Sequence, residues 1–249
     1  FDAFADGLAV VDDPGMLATQ AAMLVDIYPD GSKPAPLAHR LRERAEEVRS
    51  QFVRRCEEAK VRFHAREEFG LPYARIIEEA ERSDLVVLGR PTHFEFGSGG
   101  QGDQTLVKVL RECPRPVVAV PKVAVEGEAV VVAHDGSLPS ARALSAFQAT
   151  GLGRSGPVHV VIASTNGVDA TRRADRTVEF LRLHDLDARP AVIETDRHPA
   201  QVILDQVDHL CAGLLVMGVH GHSPLRDFFI GSTTRQVLDS SRAPVFCHH

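Results

Sequence analysis

The sequence predicts an α/β protein built from two repeated doubly wound domains, each with a mainly parallel five-stranded sheet flanked by helices. Three observations predict it. The segment 84–90 (DLVVLGR) returns as 213–219 (GLLVMGV) at an offset of 129, and the same offset carries Gly102 onto Gly231 and Thr92-His93 onto Gly221-His222. Short runs that are apolar throughout alternate with segments of helical spacing, as expected of parallel strands covered on both faces. Finally, 249 residues suffice for two small domains, each with its own core. The repeat places one domain at 1–122 and the other at 128–249, joined near residues 122–128.

The second copy reads in order. Residues 129–133 form an apolar run of strand length, closed by His134-Asp135-Gly136-Ser137. A helix is expected over 139–150, a strand over 158–163, and a helix over 170–183 with Val178 and Leu181 at helical spacing. Strand 188–193, helix 199–210, strand 213–218, helix 232–240 and strand 244–247 complete it. Right-handed crossovers then wind the sheet both ways. In the first copy the expected elements are helix 38–59, strand 61–65, helix 72–82, strand 85–89, helix 104–112 and strand 116–120. Residues 1–36 show no strand–helix–strand unit. Asp6-Gly7 falls at the repeat position of Asp135-Gly136, yet Pro29 to Pro34 (PDGSKP) stands where a second strand belongs. The first copy has therefore diverged there, or its first strands precede Phe1 and residues 1–36 are largely loop. The second reading is favoured.

Composition narrows the function. A formal charge of -6 without a one-sided Lys/Arg cluster argues against nucleic acid as partner. The densest basic stretch, Arg40 to Arg55, is interleaved with glutamates and reads as a solvated helix face. No apolar run approaches the roughly 20 residues of a membrane helix, so no membrane association is expected. Cys56, Cys113, Cys211 and Cys247 lie far apart, which fits reduced thiols in a cytoplasmic protein better than a disulfide scaffold or zinc ribbon. No basic, apolar leader opens the chain. His220 and His222, and the pair His248-His249, lack a nearby carboxylate or thiol at ligand spacing, so no metal centre is expected.

The informative stretch is Gly218 to Thr234, which carries Gly-x2-Gly-x9-Gly-Ser. Gly218 ends an expected strand, and Gly231-Ser232 opens an expected helix. Sheets of this kind bind ligands at the carboxyl ends of their strands, where strand order reverses. A helix start there offers unpaired N–H groups and partial positive charge to an anion. Glycines let the backbone approach, and Ser232, Thr233 and Thr234 add hydroxyl donors. The ordinary alternative is that Gly218 and Gly221 make a turn and Ser232 caps a helix. Asp135 has two readings as well, since Asp-Gly-Ser after a strand is common turn and cap chemistry.

On these residues the second copy resembles the universal stress protein family, over all of 128–249 and more weakly over 37–122. The ATP-binding members of that family carry this glycine spacing in the same place. The resemblance implies a nucleotide site in which Gly218, Gly221, Gly231, Ser232 and Thr233 hold triphosphate and ribose. Ala133 and Asp135 would sit beside the nucleoside, and Val160 would meet the adenine through its backbone. His220, inside the motif, could donate to phosphate. ATP with Mg²⁺ is the implied ligand. Tandem copies are a known form of the family, whose members associate through their last strands. Residues 116–120 and 244–247 are thus expected to pair within the chain as a pseudo-dimer, or between chains as a homodimer.

The first copy departs from the motif: Thr92 replaces the second glycine, and Asp103 replaces the Ser/Thr. A carboxylate there would repel phosphate, so this copy is expected to bind ATP poorly. Its glycine cluster, Gly97 to Gly102, reads as a flexible loop. No Gly-x4-Gly-Lys or Gly-x-Ser-x-Gly occurs, and no lysine lies in 218–234. Phosphoryl transfer leans on charge clamps, so binding with slow or no turnover is expected of a stress-response regulator. The alternatives are a slow nucleotide hydrolase using Asp135 or His220, and a ligand-free interaction scaffold.

Overall fold

In the computed structural model of the chain, residues 3–12, 35–92, 94, 103–219 and 230–249 are described. Nine strands and seven helices alternate through these residues. They are β1 (Phe4–Val11), α1 (Ala35–Glu58), β2 (Arg62–Phe69), α2 (Pro72–Ala80), β3 (Val86–Arg90), α3 (Thr105–Glu112) and β4 (Val117–Pro121). There follow β5 (Val130–Ala133), α4 (Leu138–Thr150), β6 (Val158–Ser164), α5 (Gly167–Arg182), β7 (Ala188–Glu194), α6 (Pro199–His209), β8 (Leu214–Gly218), α7 (Ser232–Ser240) and β9 (Val245–His248). Every strand and helix expected from residue 37 onward is present, with ends displaced by a few residues.

Packing divides the chain differently from the repeat. One compact unit comprises residues 1–79 with 93–105, the other residues 80–92 with 106–249. In the first unit β1 runs parallel to β2, from Phe4 opposite Arg62 to Val11 opposite Phe69. Helix α1 covers this pair: Phe52 meets Phe63 edge-on at 6.0 Å, and a Cβ on Gly7 would strike the Phe52 ring. The expectation that residues 1–36 are largely loop is corrected at 4–11. Asp6 and Gly7 lie inside β1, opposite His64 and Ala65, and the Asp6 carboxylate pairs with Arg66 at 3.3 Å. The alternating pattern of β1, with Val11 buried, supplies the strand that the Asp-Gly pair concealed.

The second unit holds a seven-stranded sheet in the order β3-β4-β9-β8-β5-β6-β7. All neighbours are parallel except β4 and β9, which run antiparallel with Val118 opposite Phe246. Within the second copy the order is β9-β8-β5-β6-β7, so the chain winds outward from β5 and then returns past it. Alternate strand residues serve opposite faces. Val132, Val160, Ile162 and Val216 join Leu144, Phe147 and Leu181 of α4 and α5 in one continuous core. Phe147 and Phe246, both wholly buried, meet edge-on at its centre, 5.9 Å apart. The opposite face carries α6 and α7, whose Val202, Val207 and Val237 are buried.

Candidate functional site

The strand order reverses between β5 and β8, and the carboxyl ends of these two neighbours open there into a cavity of about 450 Å³. Its floor is the second face of the sheet: Ala133 of β5, Val161 and Ala163 of β6, and Met217 and Gly218 of β8. Pro199 and Ile203, one turn apart on α6, form one wall. The rim opposite is the start of α7, with Gly231, Ser232, Thr233 and Thr234. This combines an apolar bed suited to a flat ring with a row of amide and hydroxyl donors at one end.

The α7 start differs from the other helices of this repeat. Ser137 caps α4, Asn166 caps α5 and His198 caps α6, each accepting a hydrogen bond from a backbone N–H. Gly231, at the corresponding position of α7, has no side chain, and no side-chain cap bond is made there. The first helical N–H groups and the positive end of the helix therefore face the cavity. In the first copy, by contrast, the Asp103 carboxylate accepts from Phe94 N at 2.8 Å and Thr105 N at 2.9 Å. An internal anion already occupies the α3 start.

Of the residues expected from the sequence, Ala133, Asp135, Gly218, Gly231, Ser232 and Thr233 line this one cavity. His220 and Gly221 lie outside the described residues. Val160, expected to meet the adenine through its backbone, turns its side chain into the core on the other face, where it is wholly buried, and its neighbour Val161 lines the cavity. Strand alternation dictates this, because Val160 shares the core face with Val158 and Ile162, whereas Val161 shares the cavity face with Ala163. Gly218 has a structural reason for being glycine as well. A Cβ there would lie 2.4 Å from Ser140 N and 2.5 Å from Pro139 C, so the α4 start packs directly on the strand. Both readings of Asp135 find support: it lines the cavity, and its Oδ1 accepts from Ser137 N at 2.9 Å to shape the loop.

Sequence reasoning passed over His134, Ser140, Val161, Ala163, Pro199, Ile203 and Met217 as lining residues. Val161, Ala163 and Met217 were reachable by asking which strand positions share one face. His134 is the polar member. Its Nδ1 is buried without a hydrogen-bond partner, and burial pushes its imidazole below the usual histidine range, with Asp135 opposing and Arg173 reinforcing the shift. Arg173 of α5 donates to the Asp135 carbonyl, tying the loop to the helix beside it. No arginine or lysine lines the cavity among the described residues.

A doubly wound parallel sheet with a cavity at its switch point and a helix start on the rim that lacks a side-chain cap bond is the arrangement in which open α/β sheets hold ligands. The model of the universal stress protein family matches residues 128–249, and this segment of the chain is similar to that family. A curated universal stress protein of Synechocystis sp. is 29% identical over 163 residues, 65% of this chain and 56% of the relative. The match thus spans little more than half of that protein. The fold as a whole resembles a universal stress protein from Archaeoglobus fulgidus DSM 4304, with a TM-score of 0.72 at 21% identity, over 98% of this chain and 85% of that one. It also resembles a functionally unknown protein from Pseudomonas aeruginosa PAO1, with a TM-score of 0.51 at 18% identity, over 99% of this chain and 93% of the other. No helix among the described residues is long and apolar enough to cross a membrane.

Proposed function

We propose that residues 128–249 form an adenine-nucleotide-binding domain and that the chain acts in the cytoplasm as a stress-response regulator whose conformation or partner follows nucleotide occupancy. ATP is the ligand this reading assigns, with Mg²⁺ carried on its phosphates. The carrying observation is the α7 start: Gly231, Ser232 and Thr233 line the cavity, and among the described residues no side-chain cap bond is made there. Phosphate oxygens suit such a helix end. The apolar bed of Val161, Ala163, Ile203 and Met217 suits the flat base, and Asp135 at the loop edge suits a ribose hydroxyl. A volume of about 450 Å³ falls within the usual range of small-molecule sites.

The same residues favour holding over turnover. Neutral donors bind a polyphosphate without the cationic clamps that speed phosphoryl transfer. The first copy, with Asp103 on its helix start, takes no nucleotide in this reading. In this reading the domains are 1–122 and 128–249, and the β4–β9 ladder supports an intramolecular pseudo-dimer of the two copies, with a homodimer as a further level of association.

Denaturing the purified protein and identifying the released small molecule by mass spectrometry tests the reading directly. Gly231→Val tests the cradle. Gly231 has φ -55 and ψ 152, a conformation open to any residue, so the variant should fold while its side chain crowds the helix start. The expected outcome is at least a tenfold loss of ATP affinity, about 1.4 kcal/mol. Parental affinity in the variant would remove the phosphate assignment.

A further inference from the structure

Helix α7 is gripped at its other end by the first copy. Arg90 closes β3, and β4 and β9 lie between that strand and β8. Its guanidinium donates to the backbone carbonyls of Leu238 and Ser241, and to that of Ala243 at 3.1 Å. Leu238 lies in the last turn of α7, and Ser241 is its C-cap. That cap residue is extended, with φ -64 and ψ 134, so no left-handed glycine folds the chain back to satisfy the closing carbonyls. Arg90 supplies the missing donors and sets a positive charge at the negative end of the helix dipole.

The arrangement is one-sided. The repeat partner of Arg90 is Val219, which carries no charge and no donor on its side chain. The helix gripped by an arginine is thus the one whose start is open to the cavity, and the helix in the first copy already has the Asp103 carboxylate at its start. Nine residues span about 13 Å, so a tilt at the closing carbonyls is carried rigidly to Ser232 and Thr233.

We propose that Arg90 is a positioning residue: by holding the C-terminal end of α7, the first copy sets the anion affinity at its N-terminal end. The ligand half of this inference rests on the nucleotide reading above; the mechanical half does not. Losing the guanidinium removes its bonds to the Leu238 and Ser241 carbonyls, while Ala243 keeps the Ser241 hydroxyl as donor, and lets α7 shift or fray, moving the cradle away from a phosphate while the apolar bed stays.

The test uses the full chain with Arg90→Met and Arg90→Lys. Without ligand, hydrogen exchange over 232–240 should accelerate about tenfold in Arg90→Met, with β5 and β6 unchanged and Arg90→Lys intermediate. With ligand, Arg90→Met should weaken ATP about tenfold while adenosine, which lacks phosphate, shifts less than twofold. Equal loss for ATP and adenosine would mean that Arg90 only supports the fold, and would overturn the proposal. Unchanged exchange over 232–240 would overturn it as well. A parent protein that binds neither ATP nor adenosine defeats the nucleotide reading and with it the ligand half, and the exchange result still decides whether Arg90 holds the helix.

Discussion

At the scale of single residues, the site joins exposed polar groups, Asp135 and Ser232, to half-buried ones. His134 is the clearest case: its imidazole lines the cavity, its Nδ1 has no partner, and burial keeps it neutral against the pull of Asp135. Burial lowers the proton affinity of His159, His248 and His249 in the same direction. The consequence for stability has a definite sign. Histidines take up protons below about pH 6.5 in the unfolded chain, and these four do so only at lower pH in the folded one. Stability is therefore complete above that range and falls as pH drops through it. The urea midpoint should be lower at pH 5.5 than at pH 7.5, and His134→Gln should flatten part of the slope. A midpoint that rises on acidification would contradict a half-buried His134 whose proton affinity burial lowers.

The same scale shows how much of the site was legible beforehand. Glycine spacing and a helix start are local features, so Gly218, Gly231, Ser232 and Thr233 were identifiable from sequence alone. The role implied for Val160 is one of its backbone, and alternation along β6 assigns its side chain to the core while Val161 faces the cavity. Pro199 and Ile203 were not legible, since nothing in a surface-helix pattern says that one end of that face meets a cavity instead of a sheet.

At the scale of elements, the second copy was readable because its central strands are apolar on both faces and α4, α5 and α6 begin at a Ser, Asn or Pro signal. The first copy was readable only where the same rules hold. β1 was hidden because the Asp6-Gly7 pair imitates a turn, whereas here Gly7 sits in a strand to admit the Phe52 ring. The close approach of α4 to β8 belongs to this scale and carries its own test. Gly218→Ala would drive a methyl into the backbone at Ser140 and Pro139, where no flexible side chain can give way. Such overpacking should cost about 2 kcal/mol, read as a lower urea midpoint with an unchanged slope. It should also weaken ligand binding by displacing the Asp135 loop that leads into α4. Wild-type stability in Gly218→Ala would show that α4 moves freely and that its packing on β8 is loose.

For the molecule as a whole, the decisive feature is that the repeat boundary is not a packing boundary. The sequence repeat divides the chain near 122–128, yet residues 80–92 and 106–249 pack as one unit because β4 pairs with β9. That antiparallel pairing sets Val118 beside Phe246 and so extends the core that Phe246 shares with Phe147. A strand such as β9, with Val245, Phe246 and Cys247 all buried, becomes an open apolar edge if β4 is removed. Antiparallel pairing is self-complementary about a twofold axis, so a second β9 can take the place of β4. Residues 128–249 expressed alone should therefore sediment as a dimer at micromolar concentration. The intact chain, whose β9 edge β4 already covers, should not associate through this strand. Phe246→Ala in the isolated half should weaken the dimer and, by emptying the space against Phe147, cost about 3–5 kcal/mol of stability. A stable monomer of 128–249 with a well-protected β9 would mean that the β4 ladder only decorates the second copy, and would remove the physical basis for reading the two copies as a pseudo-dimer.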